Sequence, residues 1–201
     1  FSGSTSAGVA HTVTAAATTT TITTDLTAAT AVGQAYTVSY TVTSAGGTPT
    51  GTVTVSDGAE TCSASVAAGS CAVTSTTAGA KTLTATYATD GNFAGSTSAG
   101  VAHTVTAAAT TATITTDLTT STAVGAAYTV SFTVTSTGGT PTGTVTVSDG
   151  TATCSASVAA GSCAVTSTTA GAKTITATYA TDGNFADSAS PSTHPSTPVM
   201  P

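Results

Sequence analysis

In the stretch "AYTVSYTVTS", residues 35–44, Tyr36, Val38, Tyr40 and Val42 alternate with Thr37, Ser39, Thr41 and Thr43. Successive side chains of an extended strand point to opposite faces, so the stretch predicts a strand with one apolar and one hydroxyl face. The alternation recurs in "TGTVTVSD" with Val53 and Val55, in "KTLTATYA" with Leu83, Ala85 and Tyr87, and in "GVAHTVTA" with Val101 and Val105. Shorter candidates are "TTITTDL" around Ile22, "ETCSAS" around Cys62 and "SCAVTS" around Val73. Turn chemistry separates them at Gly46-Gly47-Thr48-Pro49, Asp57-Gly58, Ala68-Gly69, Ala78-Gly79 and Asp90-Gly91. No segment offers a helical stripe, and β-branched Thr suits a pleated, half-wet surface. Seven short strands in this length predict a β-sandwich of the immunoglobulin type.

The pattern then repeats. "FSGSTSAGVAHTVTAAATT" at residues 1–19 returns as "FAGSTSAGVAHTVTAAATT" at 93–111, and Phe1, Phe93 and Phe185 set a constant period, since 93 − 1 and 185 − 93 are both 92. Residues 1–92 and 93–184 differ at ten positions. The differences include Tyr40 against Phe132 and Leu83 against Ile175, which keep an apolar position apolar, and Glu60 against Ala152 beside a turn. A shared core with a free surface predicts this. Beyond Phe185 the correspondence fails: "ADSASPSTHPSTPVMP" bears no relation to "AGSTSAGVAHTVTAAA". The fold class is therefore all-β, two tandem seven-stranded immunoglobulin-like sandwiches. Residues 1–15 are an orphan last strand, 16–107 the first domain, 108–187 the second, and 188–201 a Pro/Ser/Thr-rich tail suited to an extended linker.

Composition narrows the function. Only 5% of the 201 residues are charged and 4% aromatic, so each small core is built largely from Val, Ile, Leu and Ala, and cores of this size are marginal alone. A net charge of −6 with two basic residues leaves nothing to neutralise phosphates, which argues against nucleic acid and anionic membranes as partners. No apolar run approaches the roughly 20 residues of a membrane span. The chain opens on Phe1, without an initiator Met or a signal-peptide pattern, as a mature or excised end would.

The runs "GTPTGTVTVSDG" at 47–58 and "AGAKTLTATYATDGNF" at 78–93, with their counterparts at 139–150 and 170–185, resemble the bacterial Ig-like repeat domains found in tandem in large surface and secreted proteins. The resemblance covers both repeats and stops before the last sixteen residues. It implies a seven-stranded sandwich, an extracellular or cell-surface location, and a role as spacer, stalk or adhesive module without catalysis or cofactor. The Thr- and Ala-rich composition and the proline-bearing tail depart from a typical member.

Several residues carry candidate chemistry. Cys62 with Cys71 and Cys154 with Cys163 form one identical pair per repeat. Four cysteines allow three connectivities, and the repeat selects the local one, a bridge across a hairpin. Such a bridge implies an oxidising compartment; the alternative is a free buried thiol. His11 and His103 share parity with Val9 and Val13, and with Val101 and Val105. They read either as a pH-sensitive strand or as histidines at a sandwich edge. Asp90 and Asn92, with Asp182 and Asn184, read as turn residues or as calcium ligands where one domain meets the next. Lys81 and Lys173 each follow an Ala-Gly-Ala turn; they read as solvated amines or as isopeptide partners. Ranks of Thr, as in "TITT" and "TVTV", are wet strand faces, or a surface for ice or glycan, or acceptors for O-linked sugar. No Ser, His and Asp set and no Gly-rich loop before a helix points to an enzyme, a metal or a cofactor.

The ends pose the last question. "GVAHTVTA" at 100–107 is the last strand of repeat one, so the same letters at 8–15, with Val9, His11 and Val13 on one face, are a last strand without its domain. Repeat two meets Pro191, Pro195, Pro198 and Pro201 where its own last strand belongs, and proline cannot serve a central ladder. Either the chain is a window on a longer array, with adjoining repeats as its partners, or it is its own partner. In the second case residues 1–15 of one copy complete the sandwich of the next in a head-to-tail homopolymer.

Overall fold

A computed structural model describes residues 1–116 and 118–191. Among them the first repeat forms β1 (Thr19–Ile22), β2 (Thr30–Ala31), β3 (Ala35–Thr43), β4 (Thr52–Ser56), β5 (Thr61–Ser65), β6 (Ser70–Thr74), β7 (Gly79–Tyr87), β8 (Ser96–Thr97) and β9 (Val101–Thr106). The second forms β10 (Thr111–Ile114), β11 (Ala127–Thr135), β12 (Thr144–Ser148), β13 (Thr153–Ser157), β14 (Ser162–Thr166), β15 (Thr176–Tyr179) and β16 (Ser188–Ala189). The alternation read from the sequence is the burial pattern: in β3 every second residue is buried, and Val53 and Val55 of β4 are fully enclosed. The chain is all-β in two tandem Ig-like domains.

Repeat one holds a small sheet in the order β1-β3-β6 and a larger one in the order β2-β9-β7-β4-β5, with β8 also on β7. Repeat two holds β10-β11-β14 and β13-β12-β15-β16. The seven expected strands of repeat one all form, and the two-residue strands β2 and β8 are added. Repeat two shows seven strands among its described residues, with no counterpart of β2; the positions matching β9, 193–198, lie outside the described residues.

Compactness does not follow the sequence repeat. One unit comprises 1–25, 37–73 and 82–101, and the other 26–36, 74–81 and 102–201. The second thus takes in β2 and most of β9 from the first repeat.

The cysteines correct a detail. β5 and β6 do not form a hairpin: β5 pairs with β4, and β6 neighbours β3 in the other sheet. A 3-10 turn at Val66–Ala68 makes the crossing. Ser65 caps it by accepting from Ala68 N, and Gly69 ends it at φ 68°, a left-handed conformation that favours glycine. Gly69 then accepts from Tyr40 N at 2.8 Å, which puts the chain into the small sheet. The Cys62–Cys71 bond, with Cα atoms 5.9 Å apart, therefore ties the edge strands of the two sheets, and Cys154–Cys163 does the same in repeat two.

Candidate functional site

Within the second unit, β9 shows what a completed edge of the sandwich looks like. Val105 and Thr106 pair in parallel with Thr30 and Ala31, and Val32 N donates to Thr106 O at 2.9 Å. His103, on the same face of β9 as Val101 and Val105, is 3% exposed. Its Nε2 is 2.8 Å from Thr30 Oγ1, its Nδ1 is 3.0 Å from Leu26 O, and its ring sits 4.4 Å from that of Tyr36. This overturns the edge reading of His103. β9 runs between β2 and β7, so the imidazole is interior, and both nitrogens have partners because a buried polar group without them is costly. Beneath the strand Leu26, Val32 and Tyr36 are buried.

The residues of this floor recur in repeat two, where the positions matching β9, 193–198, lie outside the described residues. Leu118, Thr122, Val124 and Tyr128 stand 92 positions after Leu26, Thr30, Val32 and Tyr36 and are the same residue types. They line a groove of about 680 Å³ together with Lys173 and Ile175. Val124 is 55% exposed against 3% for Val32, and Leu118 and Tyr128 are only half-buried. β15 is correspondingly short, four residues against nine in β7.

Polar groups fix the groove's inner wall. Tyr128 Oη lies 3.3 Å from Ser167 Oγ, and Ser167 in turn donates to Asp149 Oδ2. Asp149 is buried beside the Asp-Gly turn, where its Oδ1 accepts from Ala152 N at 2.6 Å and from Thr151 N at 2.8 Å. Burial pushes this carboxyl up, but the hydrogen bonds from Ala152, Ser167 and Thr151 outweigh it and hold the group well below the usual carboxylate range.

The letters of β9 also stand near the other end of the chain. Residues 8–15 repeat β9 and its flanks letter for letter. They lie outside every strand and bridge, with Val9 93% and Val13 85% exposed and His11 exposed between them. The segment is anchored just behind, at Ala16, by Ala16 N to Asn92 O and Ala94 N to Ala16 O, each 2.8 Å. Ala108 is anchored in the same way behind β9, to Asn184 and Ala186. Sequence reasoning singled out Val9, His11 and Val13 and missed Leu118, Thr122, Val124 and Tyr128. Carrying the partners of a strand across the 92-residue offset would have found them.

The other candidates resolve locally. Asp90 Oδ1 accepts from Asn92 N and Phe93 N, and its Oδ2 from Thr50 Oγ1 at 2.8 Å; Asp182 repeats this with Thr142, Asn184 and Phe185. These carboxylates close turns. Asn184 Oδ1 accepts from Ala78 N at 2.9 Å, inside the second unit. Lys81 donates to Thr77, and Lys173 to Thr169 and Thr151, all hydroxyls, which cannot form an amide. No cluster of three metal-ligating side chains occurs among the described residues. The tail prolines Pro195, Pro198 and Pro201 lie outside the described residues.

Among solved structures, the chain is similar to the fibronectin(III)-like modules of Clostridium thermocellum CbhA, at 20% identity over 88% of this chain and 91% of that one, with a TM-score of 0.38. It is also similar to the three N-terminal domains of the bacteriophage RB49 highly immunogenic outer capsid protein, Hoc, at 14% identity over 90% of this chain and 58% of that one, with a TM-score of 0.35. No curated protein matches it. The bacterial Ig-like domain (group 3) matches residues 22–106 and again 109–197. The first match lies within the first domain read from the 92-residue period, whereas the second continues past the boundary at 187 into the proline-bearing segment, so the resemblance reaches further than the repeat reading placed it. The chain belongs to the bacterial Ig-like domain (group 3) family, in two tandem copies.

Proposed function

We propose that this is a non-enzymatic extracellular structural protein, a fibre subunit or surface stalk, whose copies join head to tail by strand donation. One observation carries the reading: repeat one closes its sandwich with β9, repeat two presents the same floor as a groove, and the eight residues of the closing segment stand exposed at 8–15. A contact between unlike surfaces that does not close on itself builds a filament. The bridges Cys62–Cys71 and Cys154–Cys163 support the outside of a cell as the setting. Negative-stain imaging with mass photometry tests the reading. The full chain should give elongated particles whose masses are whole multiples of 18.8 kDa, and removing residues 1–15 should return it to monomers. Monomers in both samples would reduce the role to that of a stalk segment.

A second reading, an adhesin for glycan or ice, has its own support. Thr86 faces Thr97 and Thr54, and Thr54 faces Ser63, giving a rank of hydroxyls across four strands, exposed at Thr86, Thr97 and Ser63 and half-buried at Thr54. Thr54 and Ser63 already bond each other at 2.8 Å, as Thr86 and Thr97 do at 3.2 Å, which reduces what the rank offers a ligand. Glycan-array or ice-affinity signal lost on replacing Thr54 and Thr86 would favour this reading.

A further inference from the structure

We infer that the groove of repeat two is a sequence-specific strand-binding site whose occupant is residues 8–15 of a second copy, in the register that β9 takes in repeat one. The inference rests on the strand-donation reading above and deepens it by naming the site, the register and the contacts.

The argument is an identity of both partners. On the acceptor side Leu118, Thr122, Val124 and Tyr128 reproduce Leu26, Thr30, Val32 and Tyr36. On the donor side Val9, His11 and Val13 reproduce Val101, His103 and Val105. The residues of a complex that repeat one makes internally thus recur, the donor letters at 8–15 and the acceptor letters at 118–128. In that register Val13 lies opposite Thr122 as Val105 lies opposite Thr30, and Val124 N donates to Thr14 O as Val32 N does to Thr106 O. His11 stacks on Tyr128 and spans Thr122 Oγ1 and the Leu118 carbonyl, as His103 spans Thr30 and Leu26. Backbone ladder bonds give such an added strand its affinity, and the alternate side chains in their pockets give it specificity. The imidazole is the selective element: a donor lacking it leaves polar groups on the floor without partners.

The chain's own continuation is a poor competitor. Aligned on the period, Pro195 falls where His103 stands and Pro198 where Thr106 stands, and a strand between two neighbours cannot do without those N–H groups. The donor also leads correctly into the adjoining chain: residue 15 runs into Ala16, anchored on Asn92 and Ala94, just as residue 107 runs into Ala108, anchored on Asn184 and Ala186. Each copy that donates its first strand therefore presents a repeat one and then a fresh groove.

The test uses the full chain carrying Val9→Asp and Val13→Asp, exposed positions whose change disables donation, titrated with a fluorescent synthetic peptide of residues 6–17. Saturable one-to-one binding is expected, with at least a tenfold loss for a scrambled peptide, for a His11→Ala peptide, or for a chain also carrying Tyr128→Ala. Combining His11→Ala with Tyr128→Ala should cost less than the product of the two, since the rings touch each other. Circular dichroism and Tm of the Tyr128→Ala chain report whether it still folds. If it does not, the His11→Ala peptide against the unaltered groove decides alone. No saturable binding, or equal binding of the scrambled peptide, overturns the site. Specific binding by a full chain that stays monomeric leaves the site standing and removes the fibre role instead.

Discussion

At the residue scale, small differences between near-identical repeats report what each side chain does. Tyr40 and Phe132 occupy matching core positions, but Tyr40 Oη donates to Ser65 O at 3.1 Å, a bond that Phe132 cannot make. Tyr40→Phe should cost repeat one about 0.5–1.5 kcal/mol, the net worth of one hydrogen bond, read as a lowered denaturation midpoint with an unchanged m-value. Asp149 makes stability depend on pH. Its folded pKa is depressed by the hydrogen bonds from Ala152, Ser167 and Thr151, which overcome burial. A depressed carboxylate stabilises above its unfolded pKa of about 3.9, and that contribution is lost as the pH falls from there towards the folded value. Asp182, lowered chiefly by the hydroxyl of Thr142, and Asp90, where donors led by Thr50 outweigh burial, act with the same sign. The Tm should therefore fall as acid is added below about pH 4. Asp149→Asn should lower the Tm at neutral pH and flatten the acid limb; an unaltered limb would assign acid sensitivity to other groups.

At the element scale, the same strand sequence occurs in two states, and substitution should separate them. His103→Ala leaves the Leu26 carbonyl and the Thr30 hydroxyl without their partner in a closed interior and should destabilise by about 1–3 kcal/mol. His11→Ala, at an exposed position, should leave the Tm of the monomer unchanged. Equal effects in thermal melts would contradict the difference in burial. The disulfides also belong to this scale. Each closes a short loop, nine residues apart in sequence, and in the chain-entropy model contributes roughly 2–3 kcal/mol. Reduction should cost both repeats, and a paired Cys62→Ser and Cys71→Ser change should cost repeat one alone. Strand positions and the period-2 core were legible in the sequence because alternation is local, as Tyr36, Val38, Tyr40 and Val42 show. The sheet partners of β5 and β6 were not, because a three-residue turn capped by Ser65 and Gly69 decides whether the chain folds back or crosses over. His103 was placed at an edge for a related reason: parity tells which face a residue takes, while its depth depends on β2, a two-residue strand too short to leave a pattern.

At the scale of the whole molecule, the proposal pairs the exposed segment 8–15 of one copy with the groove of repeat two in another. Each is a hazard alone, since uncovered apolar side chains and open ladder groups invite non-specific association. In the proposed assembly the two together direct that tendency into one register. Half of the proposed pair was legible: the repeat marked Val9, His11 and Val13 as a second copy of the letters of β9, whereas Leu118, Thr122, Val124 and Tyr128 acquire meaning only once the contacts of β9 are known. Disulfide trapping tests the claim most directly. Thr30 and Val105 are paired Cα partners in repeat one, so a full chain carrying Val13→Cys and Thr122→Cys should, on mild oxidation, give a ladder of covalent oligomers on a non-reducing gel. The mismatched pair Val9→Cys and Thr122→Cys should give none. A monomer-only band from the matched pair, or equal ladders from both, would contradict donation of this strand in this register.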